Sequence, residues 1–175
     1  MTEHQVADIM TEWGVFRIAW SGKGLVRTGL PDGAGRATEG QNDPASEPAW
    51  DLVARIRAYF RGEPVSFDNI PIDETGLGPR ECAIYRQLRS VPRGQTVTYG
   101  MLAARAGMPG EARMVGAAMG RNPWPLIVPC HRVLAADGRP GGFSAPGGVS
   151  TKLRMLRLEG ASLPEEAPLL PGLFE

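Results

Sequence analysis

Cysteine and histidine are scarce in this chain: 2 of each among 175 residues. Two cysteines close at most one disulfide, which excludes a disulfide-stapled scaffold. It also points to a reducing compartment, the cytoplasm or, in a eukaryote, the nucleus. His4, Cys82, Cys130 and His131 show no ligand spacing, so no metal site is expected. No apolar run approaches the roughly 20 residues that cross a bilayer, which argues against a membrane partner. The start, Met1-Thr-Glu-His, lacks a basic stretch followed by an apolar run, so no secretory signal is expected. Net charge is also missing, at zero overall, but the balance hides an asymmetry. Residues 1–76 hold 7 Lys/Arg against 12 Asp/Glu, residues 77–160 hold 12 against 4, and 161–175 add three acids. A basic middle segment in a neutral chain points to an anionic partner.

An apolar content of 42% supports a substantial core, as one ordinary domain or two small ones. Trp13–Trp20 and Leu25–Leu30 are rich in strand formers and flank the turn Ser21-Gly22-Lys23-Gly24, which predicts a hairpin. Residues 31–46 have loop composition. Trp50, Val53, Ile56 and Phe60 recur at helical spacing and predict a helix over about 47–61. Residues 62–77, with Pro64, Pro71 and Gly76, read as a linker. The resulting division is a small α/β unit at 1–76, a helical unit at 77–160 and an irregular acidic tail at 161–175.

Within the second unit, 79–90 predicts an amphipathic helix with Ile84, Tyr85 and Leu88 on one side. Thr98 can cap a short helix from Tyr99 to about Ala106. Gly107-Met108-Pro109-Gly110 then turns the chain into a helix from Glu111 to about Gly120. Two short helices about a tight turn have the form of a helix-turn-helix. Ser150 can cap a last helix to about Glu159, with Leu153 and Leu156 inward.

The densest chemistry lies in Pro129-Cys130-His131-Arg132-Val133, entered through Leu126-Ile127-Val128 and preceded by the stiff turn Asn122-Pro123-Trp124-Pro125. A free cysteine is only ~3% thiolate at pH 7, so a nucleophilic Cys130 needs a base. His131 is adjacent, but an extended chain turns it away from the sulfur, which favours a bridging water, or local curvature, over a direct pair. The imidazole in turn needs an orienting carboxylate, and Glu159 is the candidate. A buried, inert thiol is the ordinary fate of an intracellular cysteine, and Cys82, mid-helix with no adjacent base, is expected to be core. His4, in a loose terminus, has no evident partner.

These residues resemble the O6-alkylguanine-DNA alkyltransferases, which take an alkyl group from DNA onto their own cysteine. The resemblance is sharp over about 79–160 and weak over 1–76. It implies an N-terminal α/β domain, a small sheet plus helix of ribonuclease-H-like form. A mostly α, winged helix-turn-helix-type DNA-binding domain would follow and hold the active site. It implies a Cys130-His131-Glu159 relay, Asn122 bracing the turn, and Tyr99 assisting rotation of the flipped base. Arg113 would hold the gap left in the base stack. Small residues at Ala112, Gly116 and Ala117, with Ala118, would suit the minor groove better than a base-reading major-groove helix, and Thr98 would also lie at the DNA. Met119 and Phe143 would pack around the alkylated base, with backbone groups at Cys130, Val133 and Ser144 bonding guanine. The partner is double-stranded DNA with alkylated bases, the protein a monomer, and no cofactor is implied. Some relatives hold a structural zinc, and this chain lacks the residues for it. Phe143 stands where many relatives have tyrosine, Met114 where a smaller residue is common, and Ala145-Pro146-Gly147 is an unusual continuation of the Ser144 loop.

Three other readings compete. An alkyltransferase-like protein would bind damage without repair, but such proteins lack the cysteine. A Cys-His hydrolase would want its histidine distant in sequence. A regulator sensing alkylation would want a second DNA-binding domain.

Overall fold

A computed structural model of the chain describes residues 4–33 and 47–163. The predicted hairpin is present as β2 (Gly14–Ser21) and β3 (Gly24–Gly29). A third strand, β1 (Gln5–Thr11), precedes it and pairs antiparallel with β2 from Gln5↔Trp20 to Thr11↔Gly14. The sequence reading treated this stretch as loose terminus. Its strand signal is the alternation that buries Ala7 and Ile9 while Val6 and Met10 face out. His4 itself is exposed at the start of this strand.

Helix α1 (Glu47–Phe60) packs its Leu52, Val53, Ile56, Tyr59 and Phe60 into one core with Ala7, Ile9, Phe16 and Ile18 of the sheet. Trp50, expected on that face, is 49% exposed. It lies about 120° round the helix from Ile56, at the edge of the apolar stripe. The connector after α1 is more than a tether. Its Ile72 bridges Leu25 in parallel, with Leu25 N–H donating to Pro71 O at 2.9 Å and Asp73 N–H to Leu25 O at 2.7 Å. Gly24 is required there: at φ +141°, a Cβ would sit 2.6 Å from Pro71 O.

The second half follows its pattern closely. Helix α2 (Pro79–Arg89) buries Ile84, Tyr85 and Leu88. Helix α3 (Tyr99–Arg105) is capped by Thr98, whose hydroxyl accepts from Met101 N–H at 3.2 Å. Helix α4 is Ala112–Gly120. Two-residue strands β4 (Val97–Thr98) and β5 (Val133–Leu134) pair in parallel. Helix α5 (Gly148–Leu158) differs from expectation at its start. Gly147 and Gly148, at φ +81° and +55°, begin it before Ser150, which lies inside the helix. Its inward stripe is Lys152, Met155 and Leu156, with Leu153 only half-buried. Cys82 is half-buried rather than core. Expectations for 34–46 and for 164–175 fall outside the described residues.

Among those residues no helix is long and apolar enough to cross a membrane. The two halves share an interface centred on the Asn-Pro-Trp-Pro turn. Thr28 N–H and Oγ1 donate to the carbonyls of Pro123 and Pro125 at 2.9 and 2.7 Å, and Trp124 Nε1 donates to Leu25 O at 2.8 Å. The edge of β3 away from β2 thus carries the segment that leads into Cys130.

Candidate active site

The Asn122 turn is held at both ends. Asn122 Nδ2 donates to Val128 O at 2.8 Å and its Oδ1 accepts from Trp124 N–H at 3.0 Å. Leu126 adopts φ +78°, a left-handed conformation rare for a branched side chain, and is buried. The turn delivers the chain to a single 3₁₀ turn, Cys130–Arg132, which runs straight into β5. This turn gives the local curvature that an extended Cys-His pair lacks. Pairing of β5 with β4 then sets Tyr99, the residue after β4, beside the cysteine.

Cys130 is 6% exposed and forms the floor of a cleft of about 470 Å³. Tyr99, Gly116, Met119, Gly120, Gly142, Phe143 and Ser144 line the rest. Burial pushes the thiol up from its usual range. The Asn122 amide, the charge of Lys152 and the backbone N–H groups of Cys130 and His131 pull it down. The thiol is therefore protonated at rest, in a setting already arranged to receive a thiolate.

His131 and Glu159 meet in the interior, both side chains wholly buried, with Nε2 to Oε1 at 2.7 Å. Arg132 grips the same carboxylate bidentately, Nε to Oε2 at 2.9 Å and Nη2 to Oε1 at 3.0 Å. Burial opposes ionisation of Glu159. His131 and Arg132 outweigh it and hold the carboxyl well below the usual carboxylate range. Burial lowers His131, offset in part by Glu159. An ionised carboxylate has no proton to offer, so the proton of a neutral His131 is assigned to Nε2. That leaves Nδ1 as the acceptor, and it has no hydrogen-bond partner among the described residues. A buried imidazole with one nitrogen tied to a carboxylate and the other open can take a proton from a nearby thiol.

Sequence reasoning missed three side chains that complete this arrangement. Arg132 lay inside the motif but was given no role. Tyr59, from α1, donates to Glu159 Oε1 at 2.9 Å across the domain interface. Lys152 is buried, donates to Val133 O at 2.6 Å and to Gly142 O at 3.4 Å, and is pushed down to about 8 by burial. As one of two lysines in the chain, set among apolar neighbours on α5, it carried a legible signal.

The remaining expected residues sort by position. Arg113 and Ala117 are exposed on α4, Ala112 and Gly116 are half-buried, and Ala118 faces the core. Thr98 serves as the α3 cap. Val133 is buried behind the cleft, outside its lining, with its carbonyl engaged by Lys152. Gly141, at φ +67°, lets the Phe143 loop pass close to Tyr99: a Cβ there would lie 3.1 Å from the phenol oxygen.

Comparison with known proteins bears on both halves. Residues 79–161 match the family model described as "6-O-methylguanine DNA methyltransferase, DNA binding domain". Residues 7–74 match "6-O-methylguanine DNA methyltransferase, ribonuclease-like domain". A methylated-DNA--protein-cysteine methyltransferase of Methanothermobacter thermautotrophicus is 36% identical over 83% of this chain and 80% of its own length. A Thermus thermophilus protein named DNA base-flipping protein is 46% identical over 67% of this chain and 79% of its own. The crystal structure of Mycobacterium tuberculosis OGT in complex with DNA matches with a TM-score of 0.72 at 32% identity, covering 88% of this chain and 92% of that one. An N-terminal sheet domain and a helical DNA-binding domain, matched separately and in the same order, leave one conclusion: this chain belongs to the 6-O-methylguanine DNA methyltransferase family.

Proposed function

We propose that the protein repairs DNA by direct reversal, moving the alkyl group of O6-alkylguanine, and of O4-alkylthymine where it fits, onto its own Cys130. The observation that carries this reading is Cys130 on the floor of a cleft, backed by a buried His131–Glu159 pair whose other nitrogen is open. In the reaction, His131 Nδ1 accepts the thiol proton through a bridging water, and Glu159 stabilises the imidazolium. The thiolate attacks the alkyl carbon in line. A C–S bond forms, the C–O bond breaks, and its electron pair leaves on guanine O6. Tyr99 assists the leaving base, and one proton restores guanine. The thioether is stable and no group among the described residues is arranged to cleave it, so each molecule acts once.

The alkylated oxygen lies inside the duplex, so the nucleotide must flip out before Cys130 can reach it. Exposed Arg113 and the small residues Ala112, Gly116 and Ala117 suit α4 to the minor groove, with Arg113 filling the vacated stack. Asn122 braces the nucleophile's turn. Met119 and Phe143 flank the base, and backbone groups at Cys130, Val133 and Ser144 read it. We assign the ribonuclease-H-like form to the sheet domain, 1–76, and the winged helix-turn-helix form to 77–160. The protein works as a monomer on duplex DNA, in the cytoplasm.

A second reading is favoured by one observation, the 46% identity to a protein named for base flipping alone. Intact and peptide mass spectrometry after mixing with one equivalent of O6-methylguanine duplex separates the two. A gain of one CH2 on Cys130 with guanine restored supports transfer. Unchanged protein that retains the damaged duplex leaves flipping without repair. Unchanged protein without binding overturns both and brings a Cys-His hydrolase forward.

A further inference from the structure

We propose that Tyr59, a residue of the N-terminal domain, is a positioning residue of the alkyl-transfer relay, setting through Glu159 Oε1 the orientation and basicity of His131. The inference rests on the reading of Cys130, His131 and Glu159 as that relay. Its geometric basis is the crowding of one oxygen. Glu159 Oε1 accepts from His131 Nε2 at 2.7 Å, from Tyr59 Oη at 2.9 Å and from Arg132 Nη2 at 3.0 Å, while Oε2 accepts from Arg132 Nε at 2.9 Å. The Arg132 fork fixes the plane of the carboxylate, and His131 and Arg132 together keep it ionised. Tyr59 adds a contact at the atom that faces His131, and it makes that contact from the other domain.

Three further observations separate this from ordinary packing. Tyr59 is 1% exposed, and burial together with Glu159 raises its phenol well above the usual range, so the hydroxyl is always a donor here. Its ring is already held by Phe60 at 5.3 Å, Phe67 at 6.1 Å and the Arg93 guanidinium at 5.4 Å. Phenylalanine would keep every one of those ring contacts, so packing gives no reason for a hydroxyl. Arg93 in turn donates to the carbonyls of Gly62, just after α1, and Leu158, just before Glu159. The helix that carries Tyr59 and the one that ends at Glu159 are thereby locked together.

The charged and titratable groups around His131 are the adjacent Cys130 thiol and Arg132 from its own turn, Glu159 from the end of α5, Lys152 from α5 and Tyr59 from α1. Tyr59→Phe removes one polar atom and leaves the His131–Glu159 and Arg132–Glu159 pairs in place. A donor on Oε1 draws off negative charge that His131 would otherwise feel. Removing it makes the imidazole a stronger base and loosens its aim, two effects with different signatures.

The experiment is Tyr59→Phe compared with wild type, reading single-turnover methyl transfer from O6-methylguanine duplex across pH. Affinity for the damaged duplex is measured on the same samples. The proposal expects the acid limb of the rate to move up by about half a pH unit, as one of four donors is lost from the carboxylate that faces His131. It expects the plateau to fall roughly threefold to tenfold, with damaged-duplex affinity within twofold of wild type. His131, titrated by NMR beside His4 as the reference histidine, must move in the same direction. A limb and a His131 midpoint that stay in place overturn the proposal even if the plateau falls. So does a variant that does not fold, which would put Tyr59 in the fold and not in the relay. Wild-type protein that transfers nothing removes the alkyltransferase reading and this proposal with it. Wild type that transfers, beside a Y59F variant with an unmoved limb, removes only the part assigned to Tyr59.

Discussion

Replacing Glu159 with glutamine tests the centre of the site, because a single isosteric change separates charge from shape. The carboxylate accepts four hydrogen bonds from His131, Arg132 and Tyr59. A glutamine oxygen in the Oε1 position still accepts from His131 and Tyr59, but the new amide then faces Arg132, donor against donor. Arg132 is 8% exposed and its Nη1 is already committed to Val91 O at 2.6 Å, so its charge has nowhere to go. Leaving one member of a buried pair uncompensated costs about 3–5 kcal/mol, a large part of the roughly 5–15 kcal/mol that holds a domain folded.

The pH dependence follows from the depressed carboxyl. The unfolded group titrates at 4.5 and the folded one lower. Its contribution is therefore complete above the unfolded value and lost as pH falls through the folded one. The gap between wild type and Glu159→Gln in urea unfolding should be widest near neutrality and close in acid. Rapid-quench transfer at pH 7 should slow by on the order of 10²-fold or more, since the imidazolium loses its counter-charge while the ring keeps its partner. A variant within about 1 kcal/mol of wild type that transfers at an unchanged rate would refute the account of Glu159 as hub and relay.

Lys152→Met should change the pH dependence of stability on the alkaline side. Burial holds the folded lysine near 8 against 10.5 unfolded, so the unfolded state binds more protons between those values. Wild-type stability relative to the variant should rise with pH across that window, and a flat difference in urea midpoints would count against it. Thr28→Val removes the hydroxyl that holds Pro125 O and should cost about 1 kcal/mol in urea unfolding. It should also slow transfer, because the turn it braces leads to Cys130; an unchanged rate would free the turn from the sheet. Gly141→Ala places a methyl 3.1 Å from the Tyr99 hydroxyl at a strained φ of +67°. Transfer from O6-benzylguanine should fall further than transfer from O6-methylguanine, measured by competition, since the loop must move away from Tyr99.

The helical half was legible in the sequence because its signals are local. The α2 face of Ile84, Tyr85 and Leu88 and the Thr98 cap are each set within a turn of the residues that make them. The meeting of His131 with Glu159 was legible from chemistry, since a nucleophilic thiol would need a base and that base a counter-charge. What stayed hidden was non-local or carried by glycine. β1 is short, and half its residues point to solvent, so its alternation was weak until β2 lay beside it. The start of α5 was misplaced because Gly147 and Gly148 turn the chain by positive φ, where a serine cap was the obvious signal. Tyr59 is 100 residues from its partner, and no spacing rule links an α1 hydroxyl to a carboxylate at the end of α5.

That long-range bond bears on what the acidic N-terminal domain is for. As an independent scaffold it would need only an apolar seam against the helical half. Instead its polar groups go to the segments that hold the chemistry. Thr28 and Leu25 take the carbonyls and the indole of the turn before Cys130, and Tyr59 takes the carboxylate behind His131. Each of these partners would lose a hydrogen bond made across the interface if the domain were removed, at about 0.5–1.5 kcal/mol apiece. The helical half carries Cys130 and His131, yet part of what fixes their surroundings is supplied from the other side of the interface. Separating the domains would thus disturb the nucleophile and its base together, before any contact with DNA were lost.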